Sequence, residues 1–256
     1  MPAATVTLTA LPGFPLVKPG NDLGALLIET LERAGLKPEE RDILVVAQKI
    51  VSKAEGRYID LNQITASERA QELARAVDKD PRLVEAILSE STEVVAHKTG
   101  VLVAAHKLGF VMANAGIDRS NLEPEGEGEW ALLLPQDPDA SAAALKTQME
   151  ARYGVELGVI VSDSNGRAWR NGVIGIALGA AGLPALRDMV GRRDLFGRTL
   201  EVTETGFADE IAAAASLLMG QADEGLPVVL VRGLSWREPP TDARALLRPK
   251  DQDMFR

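Results

Sequence analysis

Three stretches of this chain carry side chains that could do chemistry together. Gly158-Val159-Ile160-Val161-Ser162-Asp163-Ser164-Asn165-Gly166-Arg167, with Arg170 close behind, puts a carboxylate, a hydroxyl and two guanidiniums after an apolar, β-branched run. That run predicts a buried strand ending on Asp163, with a turn at Asn165-Gly166. A second carboxylate, Asp118, sits in the small-residue loop Asn114-Ala115-Gly116-Ile117-Asp118-Arg119-Ser120-Asn121, and Lys49 and Lys53 follow a third apolar run, Ile43-Leu44-Val45-Val46-Ala47. Carboxylates held at strand ends suit a hard divalent cation, and ammoniums there suit phosphate oxygens. Taken singly, each stretch also reads as a polar turn or a solvated helix start. Taken together they point to metal-assisted chemistry on a phosphate. Spacing does not separate phosphoryl transfer from hydrolysis, or either from nucleotide binding without turnover.

The elements that must position these groups are legible in outline. An opening strand around Val6 and Leu8 runs into Gly13-Phe14-Pro15-Leu16, a stiff loop that either grips a flat ring or bends an edge strand. Asn21 is placed to cap a helix carrying Leu23, Leu27 and Leu31, and Gly35 to stop it. Helical spacing recurs over 67–77 and 81–90, the latter opened by Asp80-Pro81. Three β-rich segments at 92–96, 101–105 and 110–113 are punctuated by Gly100 and Gly109 and predict an antiparallel run. An Ala-rich helix starts at Asp137-Pro138, another spans 208–219, and a last buried strand spans 227–232. Glycine and alanine over 173–182 permit close backbone packing, read as a contact between subunits. The segment after Trp236 reads as peripheral.

Composition removes several classes of function. With 256 residues, 46% hydrophobic and 25% charged, the chain reads as an ordinary globular protein with a real core. A net charge of −9 argues against broad attraction to nucleic acid or anionic membranes, so bound phosphate must be held locally. There is no cysteine, which excludes thiolate metal sites and cysteine nucleophiles. His97 and His106 have no carboxylate at ligand spacing and read as structural or solvated. No window resembles a signal peptide or a membrane span, so a cytoplasmic location is expected.

At these residues the sequence resembles the coenzyme F420-0:L-glutamate ligases, also called F420 γ-glutamyl ligases. The motifs that carry the resemblance run in order through Gly13-Phe14-Pro15-Leu16, Val51-Ser52-Lys53-Ala54-Glu55-Gly56-Arg57, Asn114-Ala115-Gly116-Ile117-Asp118 with Ser120-Asn121, 163–172, Phe196-Gly197-Arg198, Ala208-Asp209-Glu210 and Val231-Arg232-Gly233-Leu234. The resemblance implies a GTP-dependent ligase joining L-glutamate to a carboxylate of F420-0, with Mg²⁺ or Mn²⁺ and commonly a monovalent cation such as K⁺. It implies an α+β homodimer of two intimately packed domains, with mixed and antiparallel sheets and flanking helices. The expected split is 1–125, holding the nucleotide loops and one metal loop, and 126–256, holding the second metal loop; a discontinuous arrangement stays open.

Carried over by position, Asp118 and Asp163 look like metal ligands, with Ser164 and Gln221 beside them, and Asp118, Asp163 and Lys53 are the expected catalytic groups. The nucleotide site would use Gly13, Phe14, Pro15, Leu16, Gln48, Lys49, Lys53, Asn121, Met219, Gly220, Gln221, Ala222, Asp223, Glu224, Gly225 and Leu226. Arg167, Arg170 and Arg198 are candidates for the anionic substrates. Asn171 stands where a second arginine is common in relatives, and Gln221 is neutral, so a metal it helps hold would be bound more weakly than by glutamate. The alternatives are the same ligase chemistry on another carboxylic acid, a nucleotide-binding module without turnover, and a hydrolase that ignores glutamate.

Overall fold

The computed structural model describes residues 4–122 and 128–254. In chain order, among the described residues, the elements are β1 (Thr7–Ala10), α1 (Leu23–Arg33), β2 (Ile43–Ala47), α2 (Gln48–Ala54), β3 (Tyr58–Asp60), α3 (Glu68–Val77), α4 (Pro81–Ser89), β4 (Ser91–Lys98), β5 (Val101–His106), β6 (Val111–Ala113), β7 (Trp130–Leu132), α5 (Pro138–Tyr153), β8 (Gly158–Arg167), β9 (Arg170–Ala181), β10 (Arg187–Asp188), β11 (Glu204–Thr205), α6 (Phe207–Met219) and β12 (Val228–Arg232). The architecture is α+β. The domain boundary expected at 125/126 falls within 123–127, outside the described residues.

The centre is a mixed sheet in the order β1-β12-β2-β8-β9. β2 and β8 run parallel, and the other neighbouring pairs are antiparallel. Because side chains alternate along a strand, the apolar runs feed two cores. Leu44, Val46, Val159 and Val161 face Leu27 and Leu31 of α1 and Leu145 and Met149 of α5. Ile43, Val45 and Ile160 face Ile211, Ala212 and Ala215 of α6. Both faces are therefore covered, which explains why these strands read as unbroken hydrophobic runs. The second layer, between β3 and β7 in the chain, packs α3 and α4 on the β4-β5-β6 sheet through Val77, Val84, Ile87, Leu102 and Ala104. Fully burying side chains of this size is worth about 1.5–3 kcal/mol each.

Strand directions decide which segments meet. β1, β2 and β8 point the same way, so the chain leaving β1, the start of α2, the distal half of β8 and the chain entering β12 share one edge of the sheet. Two backbone bonds close that edge, Leu11 N to Val228 O and Ala47 N to Pro227 O, at 2.9 and 2.8 Å.

Several expectations are corrected. The strand through Asp163 does not end there: Asn165 pairs with Ile174 and Gly166 with Val173, and the reversal falls after Arg167, with Trp169 at φ 64°. Asp163 lies within β8, because the ladder to the long β9 overrides the turn preference of Asn-Gly. The Gly/Ala-rich stretch packs within the chain. A Cβ at Gly175 would stand 2.3 Å from Ala212 O of α6, and one at Gly179 2.1 Å from Pro138 O of α5. Asp22, not Asn21, caps α1 by accepting from Ala25 N, while Asn21 Oδ1 accepts from Lys18 N. The segment after Trp236 is not peripheral, since Ala243 is fully buried and its N–H donates to Asp139 Oδ1 at 2.8 Å. Among the described residues no helix is long and apolar enough to cross a membrane.

Candidate active site

Four of the singled-out segments meet at the shared edge. Gly13 takes φ 66° as the chain leaves β1, and its carbonyl accepts from Arg33 Nη2 at 2.7 Å, fixing the path of the loop. Phe14 packs partly on the core, whereas Pro15 and Leu16 stay exposed. Gln48 opens α2 directly after β2, beside β8, where Ala47 pairs with Ser162. Its Oε1 accepts from Ser52 Oγ at 2.9 Å, and its side chain lies near enough to Asp163 to favour the charged carboxylate slightly.

Asp118 arrives from the second layer. Its backbone exchanges two hydrogen bonds with Leu132, at 3.0 and 2.8 Å, which staples the loop to β7. An Asx turn shapes the next two residues: Ser120 N donates to Asp118 Oδ1 at 2.7 Å and Ser120 Oγ to Oδ2 at 3.0 Å. Lys49 Nζ reaches Asp118 Oδ2 at 2.7 Å, Ser120 Oγ at 2.8 Å and Ser120 O at 3.2 Å. One turn along α2, Lys53 Nζ donates to Asn121 O at 2.8 Å. Asn121, at φ 53°, reaches across with Nδ2 to Ala222 O at 3.0 Å. The 219–226 loop is tied down twice more, by Ser162 Oγ to Met219 Sδ at 3.9 Å and by Glu224, whose carboxylate accepts from Ala222 N at 2.8 Å. The backbone N–H of Gln221 also faces that carboxylate, and the Gln221 side chain is exposed. Asp223, Gly225 and Leu226 complete the loop into β12, with Gly225 at φ 65°.

The two aspartates are close enough to feel each other's charge. Burial pushes Asp163 up to about 6, and the Asp118 charge adds to that; the Ser164 N–H, Lys49 and Gln48 pull the other way. Ser164 N donates to Asp163 Oδ1 at 2.8 Å. Burial also opposes ionisation of Asp118, but the bonds from Lys49 and Ser120 outweigh it and hold that carboxyl below its ordinary range. One aspartate is thus a settled anion and the other an anion short of a cation. Among the described residues no group of three or more His, Cys, Asp or Glu side chains is arranged to hold a metal ion. Two carboxylates and a hydroxyl still suit Mg²⁺ or Mn²⁺ where phosphate oxygens and water supply the remaining ligands.

The arginines gather less well. Arg167 Nη2 donates to Asn171 O at 3.4 Å and its Nη1 is buried with no partner among the described residues. Arg170 is exposed at the start of β9, and Arg198 lies on the arm between β10 and β11, its N–H on Asp194 Oδ1 at 2.8 Å. No described contact joins either of them to the aspartates. Two serines at the site, Ser120 and Ser162, carry no role predicted from the sequence. The Asp-x-Ser spacing signals the turn at Ser120, whereas nothing local marks Ser162 as a neighbour of Met219. His106 is a core side chain, accepting from Leu108 N at 3.0 Å through Nδ1.

Two cavities of about 560 and 440 Å³ lie at the other end of the sheet, around Arg41, Trp236, Arg237 and Glu238. Their charges are largely spent on one another: Arg187 and Arg192 pair with Glu238, and Lys146 with Glu150. The residues singled out in the sequence lie at the opposite edge.

The F420-0:Gamma-glutamyl ligase family matches residues 13–233, which includes both aspartates, both lysines and the 219–226 loop. A Coenzyme F420:L-glutamate ligase of Methanothermobacter thermautotrophicus is 46% identical over 253 residues, covering 98% of this chain and 99% of its own. The protein of that name from Methanopyrus kandleri is 43% identical, covering 98% of each chain, and that from Archaeoglobus fulgidus is 46% identical over 87% of this chain and 86% of its own. With a match of this extent laid over the edge just described, the chain belongs to the F420-0:Gamma-glutamyl ligase family.

Proposed function

We propose that this chain joins L-glutamate through its amine to the carboxylate of F420-0, at the expense of GTP and through an acyl phosphate. A single observation carries the reading: Asp118, held by Lys49 Nζ at 2.7 Å, comes from another layer and yet lies near enough to Asp163 for its charge to be felt there. A carboxylate is a poor acyl donor until one of its oxygens becomes a phosphate leaving group. The acceptor carboxylate attacks the γ-phosphorus and GDP leaves; the glutamate amine then attacks the acyl carbon, phosphate departs, and the amine loses a proton.

The residues divide this work. Asp118 and Asp163 would hold Mg²⁺ or Mn²⁺, with Ser164 as a hydroxyl ligand and Gln221 reaching in from its loop. Bound there, the ion would offset charge on the transferring phosphoryl oxygens. Lys53, kept near Asn121, would hold those oxygens. The 13–16 and 219–226 loops, on either side of the edge, would enclose the nucleotide and exclude water that would hydrolyse the acyl phosphate. Of the three arginines, Arg167 would meet an anionic substrate, because its Nη1 is buried with no partner among the described residues. K⁺ as a companion ion and assembly as a homodimer belong to the same proposal.

Release of GDP that requires both F420-0 and glutamate, together with a glutamylated product, is the expected result with Mn²⁺ present. GDP release indifferent to glutamate would replace this reading with a hydrolase. A second reading keeps the chemistry and changes the acceptor. It is favoured by Asn171, which gives Arg167 a backbone carbonyl at 3.4 Å at the position where the family resemblance led us to expect a second guanidinium. A carboxylic acid other than F420-0 giving faster glutamate-dependent turnover would select it.

A further inference from the structure

The two cavities at the far end of the sheet differ in charge. The larger, about 560 Å³, is faced by three basic and three acidic side chains, so its charges close. The smaller, about 440 Å³, is faced by Arg41, Arg187, Arg192 and Arg237, with Glu238 the one acidic side chain described there. In a chain of net charge −9, a cavity left with three positive charges in surplus is a local exception. The guanidiniums are also held in place. Glu238 Oε1 accepts from Arg187 Nε at 3.3 Å and Nη2 at 3.2 Å, and from Arg192 Nη2 as well, while its Oε2 accepts from Arg237 N at 3.0 Å. Two guanidiniums are thus drawn onto one carboxylate oxygen, and a single negative charge offsets only one of them. Arg187 lies over the Phe207 ring, 4.9 Å from its centroid. Arg41 lies 5.8 Å from the Trp236 centroid, with Nη1 donating to the Trp236 carbonyl at 3.0 Å. It does so from φ 65°, a backbone conformation uncommon for a residue with a Cβ. The Arg237 side chain has no ion pair among the described residues.

We propose that this cavity is a second anion site, built for a compact diphosphate group, free or carried on a small molecule. A guanidinium has five N–H donors, and Glu238 takes two from Arg187 and one from Arg192, so both keep donors for a ligand. Two linked phosphoryl groups carry about three negative charges near neutral pH, which matches the surplus. Their tetrahedral centres present oxygens on several sides at once, as guanidiniums arriving from different segments require, whereas a carboxylate presents two oxygens in one plane. The cavity lies where β2 begins, and Lys49 and Lys53 follow where β2 ends. The site is therefore separate from the phosphate contacts proposed for turnover and does not rest on them.

Trp236 supplies a local reporter, because it faces the cavity. The test follows the indole N–H resonances of the full chain by nuclear magnetic resonance, with that of Trp236 identified by its loss in Trp236→Phe. Pyrophosphate without added metal should shift the Trp236 resonance saturably, with half-saturation at about 0.1 mM. Arg192→Gln and Arg237→Gln should each weaken that binding about tenfold, the scale of one charge-assisted hydrogen bond lost at a part-exposed site. Lys53→Met, at the other edge, should leave it unaltered. Citrate, similar in charge but made of planar groups, should bind roughly fivefold more weakly or worse. A Trp236 resonance that stays in place up to about 10 mM pyrophosphate overturns the site, as does equal affinity in wild type and both arginine variants. Equal weakening by Lys53→Met overturns it by moving the anion to the other edge, and citrate binding as tightly as pyrophosphate overturns the diphosphate assignment. Glutamate ligation is read separately, so failure here leaves the proposed function standing.

Discussion

The two ends of the central sheet treat a carboxylate in opposite ways. Where β2 begins, Asp42 is 1% exposed and takes Arg232 with both oxygens, at 2.9 Å from Nε to Oδ1 and 2.7 Å from Nη2 to Oδ2, and it accepts from Glu39 N as well. Nearby, Glu238 is held by Arg187 and Arg192, and hydrogen bonds from its own and the Arg237 backbone N–H, with those guanidiniums, hold it down at about 2. Where β2 ends, Asp163 accepts from the Ser164 N–H and has no salt bridge among the described residues, and its charged neighbours there are a second aspartate and that aspartate's lysine. A carboxylate given a fixed partner serves the fold. One kept short of a partner costs stability, as the proposed cation site would require.

Removing the unpartnered charge should separate activity from stability most sharply. Asp163→Asn is expected to lower glutamate ligation about 10³-fold or more, the scale of a lost metal ligand, while the urea midpoint stays level or rises. Activity surviving that change would erase the contrast between the two ends. The mirror experiment is Arg232→Met. It strands Asp42 in the core and should cost about 3–5 kcal/mol in denaturant unfolding, with the activity of the remaining folded protein preserved.

Proton linkage gives a finer version of the same comparison. Asp163 titrates near 6 in the folded chain against 3.8 for an unperturbed aspartate, so between those values the folded state holds more protons than the unfolded one. Its contribution therefore makes stability fall as pH rises from about 4 to about 6 and stay low above, by on the order of 2 kcal/mol. Glu238 runs the other way, adding stability above its ordinary range that is lost as pH falls toward 2. Subtracting the Asp163→Asn stability profile from that of wild type should isolate the first trend; a flat difference between pH 4 and 7 would remove the electrostatic half of the contrast.

Much of the scaffold was legible because burial on both faces writes itself as unbroken runs: Ile43 to Ala47 and Gly158 to Val161 are strands, as their patterns predict. Helix starts were legible where one capping group stood alone, as at Asp80-Pro81, and shifted by a residue where two competed, as at Asn21 and Asp22. The Asn165-Gly166 turn failed because its alternative, a ladder to β9, depends on residues outside any local window. The segment after Trp236 looked polar, yet Ala243 and Thr241 are pinned by Asp139 and Leu183, partners no composition reveals. At the site, the kinds of groups were visible and their meeting was not. Asp118 and Asp163 come from different layers, and Lys49, which pairs with Asp118, comes near Asp163 only because β2 and β8 lie side by side.

The central claim is that both aspartates serve one cation beside a nucleotide. It is tested most directly by Mn²⁺ electron paramagnetic resonance of the protein with GTP, comparing wild type with Asp118→Asn and Asp163→Asn at about pH 7.5, where both carboxylates are ionised. The account expects the bound signal in wild type and its loss in each variant at Mn²⁺ concentrations that saturate wild type. Either variant holding Mn²⁺ as tightly as wild type would contradict it.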